Sequence, residues 1–324
     1  MITNLSNLPM SLAVWLARDE YDHNKADNTL SATSLLKPTK SILLGSLCSS
    51  ETDIDVVDLV ASRMGTAIHT AIEQSWLSGD IKDTLNLLGY PSWLVKAVKV
   101  NPDPTTVTED DLPIYMEIRK DKEIDGFTIT GKFDFICDGQ LEDFKSTSTY
   151  TWINQTNRDK YIQQGSIYRW LNPDLVTNDV MRINYIFTDW SAAKAKQSKD
   201  YPATKVLSQE YPLMSLFDTE LFIKAKLAEL TRYAGLPQEE MPQCTSEELW
   251  ERPSQFKYYK NPSNKTRSTK NFETYWEAHQ RFMDDGSVGE IVEVKGEVVF
   301  CQYCPAVNNC KQAQKYIEEG RLSA

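Results

Sequence analysis

No run of this sequence stays apolar for the roughly 18 residues that a membrane-crossing helix needs, so no membrane partner is expected. A signal peptide is lacking too, because no basic start precedes the short apolar stretch Leu8 to Leu16. A cytoplasmic setting is the resulting expectation. No internal repeat and no low-complexity tract interrupts the chain, which sets aside repeat arrays and composition-biased linkers. Positive charge is in deficit: 35 Lys+Arg stand against 46 Asp+Glu, a balance of −11. That argues against a histone-like binder held to nucleic acid by bulk charge. It leaves room for an enzyme that grips DNA through a local basic surface while carboxylates hold metal. Histidine is scarce, with only three in 324 residues, so each one invites a specific role.

What is present suits an ordinary globular protein of one large domain or two smaller ones, 41% apolar and 25% charged. In a reducing compartment its six cysteines are expected to be thiols or metal ligands rather than disulfides. Residues 1–50 read as an N-terminal helical segment packing on the core, with Ser31–Leu36 starting a short helix before Pro38. Residues 51–235 form the core, and 236–324 a basic and cysteine-bearing region forming one compact unit with it. A helix is expected over 53–78, where Ile54, Val57, Val60, Met64, Ile68 and Ile72 make a buried stripe beside Gly65, His69 and Glu73. Residues 80–112, with three prolines, read as irregular. Strands follow at 114–119, 127–137 and 141–145, then a helix at 158–171 and a strand at 182–188. The last helix, 216–233, has Phe217, Leu221, Leu227 and Leu230 as its core side.

The chemistry concentrates at Asp138-Gly139, a dipeptide suited to a two-residue hairpin turn. In that register Cys137 faces Gln140, Ile136 faces Leu141, Phe135 faces Glu142 and Asp134 faces Asp143. Phe133 then faces Phe144, and Lys132 faces Lys145. Opposed side chains sit about 4.5–5.5 Å apart, where like charges destabilise a sheet. A divalent cation between Asp134 and Asp143 would neutralise them, and Mg²⁺ favours such hard oxygen ligands. Lys145 can reach a water or phosphate beside the metal. A one-residue slip would exchange the roles of Asp143 and Glu142. The plain alternative is a hairpin with charges on its wet face.

Taken in order, Gly65-x-x-x-His69, Gly131-Lys-Phe-Asp134, Asp143-Phe144-Lys145 and Gln164-x-x-x-Tyr168 resemble the PD-(D/E)XK nuclease superfamily, in its RecB-like branch of phage exonucleases and CRISPR-associated adaptation nucleases. The resemblance implies an α/β fold, a restriction-endonuclease-like core with a central mixed sheet flanked by helices and a C-terminal cysteine-stapled extension. It implies that His69, Asp134, Asp143 and the Phe144 carbonyl hold Mg²⁺ or Mn²⁺. Lys145 would orient or help deprotonate the attacking water, and Gln164 and Tyr168 would contact the DNA strand. Asp143 departs from the Glu usual in its slot. Glu73 reads as a solvated or supporting carboxylate, and Glu117 as an ordinary strand residue, with contact to the metal's surroundings as the lesser alternative.

Cys301-x-x-Cys304 followed by Cys310 has metal-site spacing but leaves a tetrahedral site one ligand short. Cys137 belongs to the hairpin. Cys244 is the preferred fourth ligand, with Cys48 as the alternative and the slot the resemblance itself would fill. The resemblance implies a 4Fe–4S cluster; zinc is the alternative, since thiolates suit both. Either group would be a structural staple. Between 252 and 271 lie six basic residues and no acid; among them Lys257, Lys260, Lys265 and Arg267, with Tyr258 and Tyr259, suit a charged, stackable single strand. Lys194, Lys196 and Lys199 form a weaker patch. The expected function is a metal-dependent DNA nuclease, an exonuclease in preference to an endonuclease, working with a single-strand-binding or recombination protein. A non-catalytic DNA-binding recombination module with the same fold is the alternative.

Overall fold

A computed structural model describes residues 2–18, 28–47 and 54–322. They divide into two compact units, Met1–Leu36 with Asp53–Ala228, and Lys37–Thr52 with Glu229–Ala324. This partition differs from a break at 50 and 235. The helix Thr39–Leu47 groups with the C-terminal residues because Leu43 and Leu44 pack against Met241, Leu249, Val298 and Ala313.

The first unit is α/β, built on a six-stranded mixed sheet flanked by helices. Its strand order is Val206–Pro212, Val180–Phe187, Gln140–Thr147, Phe135–Cys137, Leu112–Met116 and Val98–Val100. Gln140–Thr147 pairs parallel with Val180–Phe187 and antiparallel with Phe135–Cys137. Alternation along Val180–Phe187 sets the two faces. Met181, Ile183, Tyr185 and Phe187 are buried on one, while Arg182 and Asn184 bond Glu142 on the other. The register places Asp143 beside Ile183, and so on the first face. The helix Arg158–Leu171, which spans the expected residues, packs there. A Cβ on Gly165 would collide with the Met181 sulfur, which shows how closely helix and sheet approach. The helix Val60–Leu77 covers the Phe135 and Phe144 side, with Trp76 5.2 Å from Phe135 between ring centroids.

The hairpin forms in the expected register. Asp138 and Gly139 take φ values of 50° and 72°, and Cys137, Ile136 and Phe135 pair with Gln140, Leu141 and Glu142. The ladder stops there, which overturns the outer pairings. The strand expected over 127–137 breaks at Phe133 and Asp134, and its first part, Phe127–Lys132, joins a separate three-stranded sheet with Arg119–Ile124 and Thr29–Ser31. Lys132 therefore pairs with Arg119, not Lys145. At the break Phe133 is wholly buried, and just before it a Cβ on Gly131 would lie 2.6 Å from Leu171.

Other expectations need correction. The 53–78 helix begins only at Val60, after a short 3-10 turn, and its supposed core stripe is largely wet, with Ile54, Val57 and Met64 all exposed. The segment 80–112 is ordered into the helices Ile81–Leu87 and Ser92–Ala97 and the strand Val98–Val100, seated on Leu85, Val95 and Val98. The helix Leu216–Tyr233 has the expected span, but its buried line is Thr219, Ile223, Leu227 and Leu230; Phe217 and Leu221 are exposed. Edge strand Val206–Pro212 escaped notice because only Tyr211 in it is buried. The short helix Ala32–Leu35 does form, capped by Ser31 accepting from the Ser34 amide. No helix among the described residues is long and apolar enough to cross a membrane.

Candidate metal centre and cysteine cavity

Where the hairpin ladder ends, a cleft of about 370 Å³ opens in the first unit, lined by His69, Glu117, Asp134, Asp143, Lys145, Gln164 and Tyr168 among others. His69 reaches it from the Val60–Leu77 helix. Its Nε2 lies 2.9 Å from the Phe144 carbonyl and its Nδ1 3.5 Å from Asp134 Oδ2. Asp134 Oδ2 also accepts the Phe144 amide at 2.9 Å. The two acids thus form no cross-strand pair, yet both point into one space. Asp143, 1% exposed, faces Lys145 with Oδ2 2.5 Å from the ammonium nitrogen, an ion pair that compensates its charge.

Glu117, read from the sequence as an ordinary strand residue, belongs to the site. The strand ends at Met116, Glu117 takes a φ of 52°, and its amide bonds the Asp134 carbonyl at 3.3 Å. A ligand atom of Glu117 then lies within 4.8 Å of atoms of His69 and Asp134, a group that could hold a metal ion. Lys132 pairs with Glu117 in the same cleft. The signal for both was the proximity of 117 to 134 across antiparallel strands, which the assumed long strand concealed. Gly65 of the helical motif is not forced by space, since a Cβ there would meet Ser146 only at an ordinary 3.4 Å.

Charges in the cleft hold one another. Burial pushes the Asp143 carboxyl up to about 6, with Asp134 adding to the rise and Lys145 opposing it. Burial would lift Asp134 as well, but the His69 hydrogen bond and charge hold it below the usual range. For His69 burial works the other way and loses to Asp134, so the imidazole pKa is raised. Lys145 is raised by the Asp143 and Asp134 charges against the effect of burial. Glu117 is raised, by burial first. Gln164 joins the cluster, donating to Asp143 Oδ1 at 3.4 Å and to the Tyr168 hydroxyl at 2.9 Å, while its Oε1 lies 3.5 Å from Lys145. Glu142 stands on the other face, bonded to Arg182 and Asn184.

In the second unit, Cys244, Cys301, Cys304 and Cys310 line one small cavity of about 20 Å³ walled by Leu44, Leu249 and Ala306. Two short 3-10 turns, Phe300–Tyr303 and Val307–Asn309, present the last three. Cys244 arrives from a distant segment and is clamped at both backbone groups: Gln312 accepts its amide and donates to its carbonyl, each at 2.9 Å. Burial pushes the Cys244 thiol up to about 12 and Cys301 up to about 11, and neighbouring sulfurs contribute to both. Among the described residues, no three of these sulfurs lie within 4.8 Å of one another. Zinc–sulfur bonds of about 2.3 Å would bring tetrahedral thiolates to roughly 3.8 Å apart. The sulfurs are thus more widely spread than a single zinc ion requires. Cys48 lies outside the described residues.

The basic segment folds as strands Gln255–Tyr259 and Lys270–Phe272 in a three-stranded sheet with Glu290–Val294. Lys265 pairs with Glu290 at 2.7 Å, and Lys260 with Asp285 at 3.5 Å. Lys257 and Arg267 form no ion pair among the described residues. Tyr258 is wholly buried, with its hydroxyl on the Val288 carbonyl, so it is not a stacking surface.

No family model matches the chain, and no curated protein does. Distant similarity extends to several solved structures. One, described as SSO0001, has a TM-score of 0.39 and 15% identity, over 68% of this chain and 85% of its own. A phage-related exonuclease from Haemophilus somnus 129PT has a TM-score of 0.26 and 14% identity, over 61% and 93%. Neither likeness carries an argument about activity, which rests on the cleft itself.

Proposed function

We propose that the chain is a metal-dependent DNA nuclease of the PD-(D/E)XK type, with its reaction centre in the His69–Asp134–Asp143–Lys145 cleft. The observation that supports it most is the meeting of an imidazole, the buried Asp143 and half-buried Asp134 carboxylates, a backbone carbonyl and an ammonium group within one opening. The residues suit a hard divalent ion such as Mg²⁺ or Mn²⁺: His69, Glu117 and Asp134 offer ligand atoms within 4.8 Å of one another, and the Phe144 carbonyl lies 2.9 Å from His69. Asp134, Asp143, His69 and the Phe144 carbonyl would hold it, with Glu117 as a further carboxylate. When bound, such an ion polarises a phosphoryl oxygen and makes water a competent nucleophile near neutral pH.

The chain's own groups do the rest. Lys145, kept charged by Asp143 and Asp134, orients the attacking water and steadies charge that builds on the phosphate. Gln164 and Tyr168 offer a hydrogen-bonded pair for the adjacent strand, and Lys257, Lys260, Lys265 and Arg267 a basic surface. The exposed ion pairs of Lys260 and Lys265 are weak enough to exchange for phosphate. The preferred activity is that of an exonuclease in phage recombination or replication. The cysteine cavity would hold a thiolate-bound metal group as a staple of the second unit, an iron–sulfur cluster by the resemblance, with zinc as the alternative.

Incubating anaerobically purified protein with end-labelled single- and double-stranded DNA tests this. Cleavage should require Mn²⁺ or Mg²⁺, and Asp143→Ala should bind DNA but not cut it. Equal cutting by Asp143→Ala, or binding without cutting by the native chain in either metal, would sink the proposal.

A further inference from the structure

Two lysines line the cleft, and each sits against a carboxylate. Lys145 pairs with Asp143, which is buried. Lys132 pairs with Glu117, a residue of the group whose ligand atoms lie within 4.8 Å of His69 and Asp134. Strand geometry brings that second pair together. Lys132 ends its strand opposite Arg119, just beyond Glu117, and the Glu117 amide bonds the carbonyl of Asp134, two residues past Lys132.

Glu117 is therefore asked to serve two positive charges. A divalent cation on this carboxylate would stand beside the Lys132 ammonium, and like charges so close repel strongly where water is scarce. Lys132 has room to give way. Its stem is flexible and its donors rotate, and the side chain is 28% exposed, facing the same opening. The anion that a nuclease cleft receives is a DNA phosphate, for which a lysine acts as a point charge. Lys145 lacks this freedom, because its own partner Asp143 lies deep and Gln164 Oε1 stands 3.5 Å away on another side.

We infer that Lys132 is a second phosphate-binding lysine, masked by Glu117 until a divalent cation takes that carboxylate, so that cation and DNA strand load together. This rests on the nuclease reading of the cleft and adds regulation to it. Whatever factor the cation adds to DNA affinity, DNA adds to cation affinity. Glu117 is the switch in that coupling, and Lys132 carries its effect to the strand.

The test uses the full chain as native protein, Lys132→Met, Lys132→Gln, Glu117→Gln and the double variant Glu117→Gln/Lys132→Met. Calorimetry with Ca²⁺ alone, a cation that takes oxygen ligands, comes first. Both Lys132 variants should bind it at least as tightly as native protein, because a competitor for Glu117 is gone. A fixed support for the Glu117 ligand would instead weaken binding about 10–100-fold on removal, and weaker binding overturns the inference. Anisotropy of a labelled single-stranded oligonucleotide then reads DNA affinity. In EDTA, Lys132→Met should match native within about twofold, but the double variant should bind about tenfold more weakly than Glu117→Gln, in which the lysine is already unmasked. The log–log salt slope of Glu117→Gln should be steeper than that of the double variant by about 0.7, one phosphate on a single strand. With Ca²⁺ present, Lys132→Met alone should cost about tenfold in DNA affinity. Lys132→Gln can keep a hydrogen bond to Glu117, so it covers the case in which methionine does not fold. Equal losses from Lys132→Met in both backgrounds in EDTA, or no loss with Ca²⁺, overturn the masking of Lys132, while Mn²⁺-dependent cleavage by the native chain keeps the nuclease reading standing. Native protein with neither Ca²⁺-strengthened DNA binding nor cleavage in Mn²⁺ overturns both.

Discussion

The cleft and the cysteine cavity would hold metal by opposite means. In the cleft, ligating groups are polar, partly open to solvent and already bonded to one another: His69 bridges Asp134 and the Phe144 carbonyl, and Lys145 sits against Asp143. In the cavity, four cysteines line an apolar hollow, and burial raises the thiols of Cys244 and Cys301. The first is a site whose cation can come and go at little structural cost, because its charges are balanced without it. The second has apolar walls and neutral thiols, which must lose protons before a metal can bind. On the proposed reading, exchange and chemistry belong to the cleft and permanence to the cavity.

The largest expected effect separates the two. Lys145→Ala should lower the rate of DNA cleavage roughly 10²–10⁴-fold, while leaving metal in the cysteine site and the melting of the second unit unchanged. Cys301→Ala should do the reverse. It should strip metal from the cavity, cost the second unit a large part of the free energy that thiolate–metal binding supplies, on the order of several kcal/mol, and leave Mn²⁺ affinity at the cleft as in native protein. Cleavage rates, metal content and limited proteolysis on the same preparations measure all three. If both variants lose both properties, the two sites are not independent and the contrast fails.

A smaller effect follows from the protons in the cleft. Metal can bind only where His69 and Asp143 have lost theirs. The His69 pKa is raised, chiefly by Asp134 once the opposing effect of burial is overcome, and the Asp143 carboxyl is pushed up to about 6 by burial. Protons therefore compete at Asp143 below about 6, and at His69 from a higher pH, above its ordinary 6.5. Lowering the pH from 7.5 to 5.5 should weaken Mn²⁺ binding by roughly tenfold or more. Titration calorimetry at constant ionic strength reads this directly. An affinity that does not change across that range would show that neither group is a ligand.

Where the sequence was informative, the reason was local. Asp138-Gly139 demands positive φ at both positions, so three rungs of the hairpin could be counted outward from it, and Asp143 was separated from Glu142 by parity alone. The helix at 158–171 was marked by its own periodicity, and Cys301, Cys304 and Cys310 by spacing. What failed depended on distant packing. Nothing near Asp134 signals that the strand must break so that Phe133 can be buried, and that break is what moves Lys132 to Glu117 and brings Glu117 to His69. The face of 216–233 was misjudged because two apolar lines share that helix, and only the tertiary contacts choose Ile223 over Leu221. Cys244 had been preferred from its position before the basic segment; the Gln312 clamp that fixes it spans 68 residues.

The smallest predicted effect is also the most direct test of register. Glu142 and Asp143 are adjacent carboxylates, and a one-residue slip would exchange them. Glu142 bonds Arg182 at 2.8 Å and also the Asn184 side-chain amide, on the face away from the cleft. Glu142→Gln removes the ion pair but can keep a hydrogen bond to either partner. Arg182 retains Glu210 at 3.0 Å, so no buried charge is stranded. The stability cost should then be about 1 kcal/mol, since the pair is only partly exposed but its hydrogen bonds can survive, and Mn²⁺ affinity and cleavage should remain within about twofold of native. Asp143→Asn, which differs from it by one position along the same strand, should lose both. If Glu142→Gln instead abolishes metal binding while Asp143→Asn retains it, the strand faces the other way in solution, and the cleft as assembled from Asp134, Asp143 and Lys145 does not exist.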